Sequence, residues 1–217
     1  MTTSQTPIRT PTQRRAARHA VAQDLPALET ALAIAFADDP MILWVTGLED
    51  RERRIEATAP GFFRPSLAAA LQRGHAYTVD GASGAALWSP PDVRMFREDE
   101  GAAFATAMME HVGPSSMERL MAIGELVGSH HPSDVPHFYL FILGAAEQGR
   151  GVGATVIAPV LARCDADGLP AYLESSSSRN LSFYERHGFR VLWEDRPAPD
   201  GPVFRGMWRD PVVDGAR

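Results

Sequence analysis

Apolar residues recur at helical spacing over much of the chain between Leu25 and residue 128, interrupted by one hairpin, and then switch to short, nearly continuous runs. Leu25, Leu28, Leu32 and Phe36 share one face of a helix. Asp24-Leu25-Pro26 reads as its start, with Asp24 as cap and the proline in the first turn, where a missing N–H does little harm. Asp38-Asp39-Pro40 reads as its stop, and Trp44 follows in a short apolar stretch. The charged run from Glu49 to Glu56 predicts the exposed face of a second helix, broken at Pro60-Gly61. Phe62, Phe63, Leu67 and Leu71 predict the apolar side of a third. His75–Val79 and Ala85–Trp88 flank a Gly-Ala-Ser-Gly turn and predict a hairpin. Residues 92–128 read as helical with a break at Gly113-Pro114. Met108, Met109, Met117 and Met121 recur there at loose helical spacing, which suits core filling or the lining of a pocket.

The pattern then changes period. Residues 137–143 are almost continuously apolar and rich in aromatics, as expected of a central strand. A turn over 144–153 leads into a helix over 152–167, with Pro159 inside it and Gly168 as its stop. Tyr172 and Leu173 centre another strand. Asn180–His187 predicts a short helix closed by Gly188, and strands near 189–193 and 203–208 complete the chain. Strand, glycine turn, helix, strand is an α/β order, with no repeat and no long linker. The expected organisation is a leader over residues 1–18, one domain over 19–211 and a frayed end over 212–217.

Composition narrows the function. The chain has 217 residues, enough to bury a sizeable core without disulfides or metal. Its single cysteine, Cys164, lies in an apolar-patterned segment and reads as a core thiol. A formal charge of −6 speaks against a nucleic-acid binder and is compatible with a cationic substrate. The arginines Arg9, Arg14, Arg15 and Arg18 precede no apolar run, and no window is long and apolar enough to span a membrane. A cytoplasmic protein with no membrane partner is the expectation, and a homodimer remains open.

The sharpest local signal is Gln148-Gly149-Arg150-Gly151-Val152-Gly153, placed between the apolar strand and the helix. Glycines let the chain turn tightly and let a ligand approach the backbone. The amides of the turn and of the first helical residues, through Ala154, lack intrahelical partners and can point at phosphate oxygens. No Gly-Lys-Ser/Thr follows, so this is not a nucleoside-triphosphate loop. It is a poor dinucleotide fingerprint as well, although Glu174 falls near the offset of an acidic ribose contact.

Residues 148–153 resemble the acyl-CoA-binding pattern Gln/Arg-x-x-Gly-x-Gly/Ala of the GNAT superfamily of N-acetyltransferases. The segment from Asn180 to Phe189 resembles that family's second characteristic stretch. Pro136-His-Phe-Tyr-Leu, Pro170-Ala-Tyr-Leu-Glu174-Ser and the position of Pro159 are similar to the puromycin N-acetyltransferase-like branch. The likeness is strong over 136–193 and general over 20–130. It implies a GNAT-like fold, a mixed central β-sheet with splayed parallel strands flanked by helices. It also implies acetyl-CoA as acyl donor, wedged between the strands around 138–143 and 171–174. The chain departs from the branch before the loop, where Leu143-Gly-Ala-Ala-Glu-Gln148-Gly is two residues shorter than usual.

Acyl transfer to an amine needs a neutral nitrogen, stabilisation of the developing oxyanion and a proton for the departing thiolate. Tyr184 is the expected proton donor, and the resemblance implies the same role. Asn180 either caps the last helix or bonds the pantetheine arm. Backbone N–H groups on the strand ending near Leu143 are the expected oxyanion donors. Glu174 could accept the amine proton through water, hold a cationic substrate or form an ion pair. His137, heading its strand, is a second candidate base together with His130 and His131. Metal binding lacks a convincing third ligand, and no Gly-x-Ser-x-Gly elbow marks a serine hydrolase. Ser175–Ser178 reads as a polar loop. The expected activity is transfer of an acetyl group to a small-molecule primary amine by direct attack in a ternary complex. A catalytically weak acyl-CoA sensor is the alternative.

Overall fold

The computed structural model describes residues 16–212. Strands β1 (Ala17–His19), β2 (Ala76–Val79), β3 (Gly84–Ser89), β4 (Phe138–Ala145), β5 (Ala171–Ser175), β6 (Arg190–Asp195) and β7 (Phe204–Arg209) form one sheet. Its order is β1-β2-β3-β4-β5-β7-β6. Neighbours are antiparallel except for β4 and β5, which are joined by a crossover helix over Val152–Asp167. This is the α/β mixed sheet expected from the sequence.

Helices α1 (Leu25–Phe36), α2 (Pro40–Thr46), α3 (Arg51–Thr58), α4 (Arg64–Gln72), α5 (Glu98–His111) and α6 (Ser115–His130) precede β4. Helices α7 (Val152–Asp167) and α8 (Leu181–Arg186) follow it. Two apolar cores result, one on each face of the sheet. Leu28, Leu32, Phe62, Phe63, Leu67 and Ile142 anchor the core beneath the early helices. Phe138, Leu140, Val156, Ile157, Val160 and Leu173 anchor the core beneath α7. Cys164 belongs to the second, and burial pushes its thiol up to about 12, as befits a core residue.

Several local expectations are corrected. The first strand begins at Ala17, inside the stretch read as leader; Arg18 forks onto Asp24 at 2.6 and 2.8 Å and reaches Asp80 at 3.2 Å. Residues 1–15 and 213–217 lie outside the described residues. Asp24 does not cap α1; its carboxylate accepts from Val21 N–H and closes a short 3₁₀ turn. Pro60-Gly61 does not break the chain, because a π-helical turn over Ala59–Phe63 carries α3 into α4. The wider turn absorbs a proline that a regular α-helix would reject. The methionines divide: Met108 and Met117 pack in the core, while Met121 is 70% exposed and Met109 54%.

The charged run on α3 conceals one buried cation. Arg54 is only 5% exposed. It donates to the carbonyls of Ala37 (2.7 Å), Leu48 (2.8 Å) and Glu49 (2.7 Å) and to Asp38 Oδ1 (3.1 Å). These bonds fasten the α1–α2 connection, where Asp39 caps α2 by accepting from Met41 N–H at 2.9 Å. Arg54→Ala strands those carbonyls and is expected to lower unfolding free energy by about 2–4 kcal/mol in urea denaturation. Arg54→Lys should restore less than half of the loss, since one ammonium cannot reproduce the planar fork.

Candidate active site

The parallel pair stays together only briefly. Its register runs Phe138–Ala171, Tyr139–Tyr172 and Leu140–Leu173, and there it stops. At the same point β4 bulges: Leu87 of β3 faces Ile142, and the next residue, Trp88, faces Leu140. Phe141 is the extra residue, so Phe141 and Ile142 both turn toward the core beneath the early helices. Beyond the bulge β4 follows β3, while β5 follows β7. The strands part.

A cavity of 310 Å³ lies at this opening. Tyr139 to Leu143 of β4 form one wall and Glu174, Ser175 and Ser176 another. Phe36 of α1, Phe62 of the π turn, Phe96, and Phe104 of α5 bring aromatic rings to it. Leu120, Ile123, Gly124 and Val127 line it from α6, and Asn180 and Tyr184 border it from the C-terminal half.

The glycine turn adjoins the open ends of these strands. Gly149 and Gly151 have φ of 74° and 76°, values that side-chain-bearing residues rarely adopt. The first helical bond runs from Thr155 N–H to Gly151 O at 3.0 Å, which leaves the N–H groups of Val152, Gly153 and Ala154 ahead of the ladder. Gln148 and Arg150 are exposed, and Arg150 pairs with Glu147 at 3.3 Å.

Asn180 ends a 3₁₀ turn over Ser178–Asn180, does not cap α8 with its side chain, and borders the cavity. Tyr184 is buried on α8. Burial, with the nearby Asp39 charge, holds its phenol well above the usual tyrosine range. Ser176 donates to Asp39 Oδ1 at 2.6 Å and ties the α1–α2 connection to the end of β5. Burial raises the Asp39 carboxyl against the opposing effect of that bond.

Glu174 is the polar centre of the cavity wall. Its side chain is 5% exposed, and its Oε1 has no hydrogen-bond partner. The phenols of Tyr139 and Tyr172 are raised first by burial, then by the Glu174 charge and by hydrogen bonding to its carboxylate. Trp193 Nε1 donates to Tyr172 Oη at 3.1 Å. That ring lies so close to β7 that a Cβ at Gly206, the residue in register with Glu174, would fall 2.0 Å from it.

The histidines sort themselves by hydrogen-bond logic. His137 Nδ1 sits 2.8 Å from the Val135 carbonyl, which can only accept, so Nδ1 carries the proton. Burial lowers the His137 pKa and favours this neutral ring. Its Nε2 therefore accepts, and His131 Nε2 is the donor across their 3.2 Å contact. His131 Nδ1 stands 3.7 Å from Glu174 Oε1. His137 and His131 border a second, open cleft of 390 Å³ rather than the aromatic cavity, and Tyr139 borders both. His130 turns away to Asp195 at 3.2 Å.

The sequence-predicted residues Leu143, Glu174, Asn180 and Tyr184 thus meet at one cavity, next to the turn formed by Gln148 to Ala154. His137 stands apart from it. Sequence reading missed Asp39, whose Asp-Pro pair reads as a helix stop, and the placement of His131 as the imidazole beside Glu174. It also missed the ring of phenylalanines, because core and cavity positions share one helical period.

Comparison with known proteins agrees with this architecture. An uncharacterised N-acetyltransferase of Schizosaccharomyces pombe is 27% identical over 185 residues, covering 80% of this chain and 74% of that protein. A histone acetyltransferase HPA2-related protein from Corynebacterium glutamicum superposes with a TM-score of 0.62 at 22% identity, covering 93% of this chain and 98% of that one. A Drosophila melanogaster polyamine N-acetyltransferase that forms N-acetylagmatine superposes with a TM-score of 0.59 at 15% identity, over 90% of this chain and 99% of that one. No helix among the described residues is long and apolar enough to cross a membrane. The family model for the acetyltransferase (GNAT) domain matches residues 91–208, and the chain therefore belongs to the GNAT acetyltransferases, enzymes that use acetyl-CoA.

Proposed function

We propose that this protein transfers the acetyl group of acetyl-CoA to the primary amine of a small molecule, by direct attack with both substrates bound. The observation that carries the reading is the convergence of Glu174, Asn180 and Tyr184 on one cavity at the parting of β4 and β5. A volume of 310 Å³ suits a small acceptor.

The residues fit the cosubstrate. Gly149 and Gly151 provide the backbone turn, a Cβ at either would meet nothing within 4 Å, and the free amides that follow suit a pyrophosphate. Asn180 is assigned to the pantetheine arm, and backbone N–H groups near Leu143 to the thioester carbonyl. Acetyl-CoA supplies the acetyl group already activated as a thioester.

Glu174 seats the ammonium and takes the proton that the nitrogen must lose. His131 Nδ1 receives that proton and releases it toward the open cleft. The nitrogen bonds to the acetyl carbon, the carbon–sulfur bond breaks, and the second proton that the nitrogen loses passes through water to the departing thiolate. Tyr184 keeps its proton at neutral pH and donates a hydrogen bond to the sulfur. Even the reference phenol is about 1.5 pKa units weaker as an acid than a thiol, so complete transfer is uphill by about 2 kcal/mol. Its contribution is greatest as charge builds on sulfur. An acyl-CoA sensor would need the glycine turn but gains nothing from a buried carboxylate with an unsatisfied oxygen, which favours the enzyme.

Gly151→Asp should leave a folded protein that no longer binds acetyl-CoA by calorimetry, because it places a carboxylate and a strained side chain in the phosphate turn. Unchanged affinity would overturn the assignment of the turn. Tyr184→Phe should lower kcat about 10-fold or more with cofactor affinity retained. Glu174→Gln should lower kcat/KM by about 10²- to 10³-fold and His131→Phe by about 10-fold, with added imidazole restoring part of the His131→Phe loss. Equal activity of Glu174→Gln and the parent would remove Glu174 from the reaction.

A further inference from the structure

The cavity has a gap in its wall that backbone geometry does not explain. Leu120, Ile123, Gly124 and Val127 follow one another at helical spacing, and all four line the cavity from α6. Gly124 is the one member of this stripe without a side chain. It lies inside a 16-residue helix, where glycine is less favourable than alanine by about 1 kcal/mol. Its φ is not positive, and a Cβ built on it would meet no atom within 4 Å. Neither a turn nor a close approach calls for glycine here. It is also exposed, which places it at the mouth of the cavity.

The charge pattern adds a second constraint. Two carboxylates border the space, and they differ. Asp39 Oδ1 already accepts from Ser176 and from Met41 N–H. Glu174 Oε1 is buried without a hydrogen-bond partner, 3.7 Å from His131 Nδ1, and is the carboxylate oxygen on this wall left open to a donor. Away from Asp39, Ser175, Ser176 and Asn180 the wall is apolar and aromatic, and an ammonium placed there would lose water without replacing it.

We propose that Gly124 is the specificity-setting position of the acceptor cavity: its missing side chain admits the bulky, aromatic-sized body of a monoamine whose single ammonium rests on Glu174. The inference rests on the N-acetyltransferase reading above and deepens it. A larger residue at 124 completes the apolar stripe and narrows the mouth, while the glycine turn and Glu174 stay as they are. Small amines still pass, and bulky ones do not.

The test compares the parent with Gly124→Ala and Gly124→Leu, using ethylamine, phenethylamine, tryptamine and spermidine as acceptors and free CoA thiol as the readout. The parent should prefer phenethylamine and tryptamine over spermidine by at least about 10²-fold in kcat/KM, as expected of a site that leaves a second charge unpaired. Gly124→Leu should cut kcat/KM for the two aromatic amines about 10-fold or more, mainly through KM, and leave ethylamine within about 2-fold. Gly124→Ala should fall between. Both variants should melt at or above the parent temperature and bind acetyl-CoA unchanged, which excludes misfolding as the cause. Equal loss for all amines, or no loss for any, would overturn the role of Gly124 and leave the enzyme reading standing. A parent preference for spermidine would overturn the single-cation site. Failure to acetylate any amine, with acetyl-CoA still bound, would overturn the enzyme reading and this inference with it.

Discussion

Two neighbouring parallel strands that share three register pairs and then separate create the space on which the rest of the molecule depends. Strand pairing normally continues until a strand ends, because each unpaired N–H or C=O in a buried place is costly. Here both strands continue, each held from its outer side, β4 by β3 and β5 by β7. The bulge at Phe141 lets β4 change course without losing its outer partner. The inner edges are thereby left open to a ligand, and the glycine turn and α7 begin where β4 ends. The crossover through α7 keeps the two edges parallel, and the cavity lies on the opposite face, beneath the early helices.

That separation of faces divides the work of the protein. The core beneath α7 is closed, apolar and carries the turn and Tyr184. The core beneath α1 to α6 is incomplete and carries the cavity. Polar bonds also join the early helices to the later strands, among them Ser176 to Asp39, Arg179 to the Asp38 carbonyl at 3.0 Å, and Trp44 to Asp200 at 3.1 Å. Arg54 fixes the near side of these links by holding Ala37, Asp38, Leu48 and Glu49 in one fork. A cation buried inside a helix that looks solvent-exposed therefore shapes the wall of a cavity formed by other elements.

Legibility from sequence followed the range of the interactions. The central strand, the glycine turn, α7 through Pro159 and the Gly188 stop depend on neighbours in the chain, and their composition announces them. The three-residue β1 is too short to carry a period and exists because Ala17, Arg18 and His19 find Val79, Thr78 and Tyr77. The π turn is equally silent, since Pro60 signals a break to any local rule. In the candidate site, Glu174, Asn180 and Tyr184 came from motif-bearing segments. His131 did not, because its partner is 43 positions away and its tautomer is set by a third residue, His137, through the Val135 carbonyl. Gly124 gave no signal at all: a mid-helix glycine becomes informative only when its surroundings are known to be empty.

The segment before the turn shows how a short path can reach the cradle from a strand that is still paired. Pairing between β3 and β4 runs without interruption from the bulge to Gly84–Ala145, and Ala146 N–H still reaches Ser83 O at 2.9 Å. The strand is thus held on its outer side up to the residue before Glu147. What is compact is the connection from there to Gly151, where the positive φ of Gly149 and Gly151 turns the chain sharply enough for α7 to start at Val152. Glycine makes the short path affordable, since two residues with side chains in that conformation would together cost about 2–4 kcal/mol. The compact connection starts α7 close to the sheet, a few residues beyond the bulge, the parting of the strands and the cavity wall from Tyr139 to Leu143.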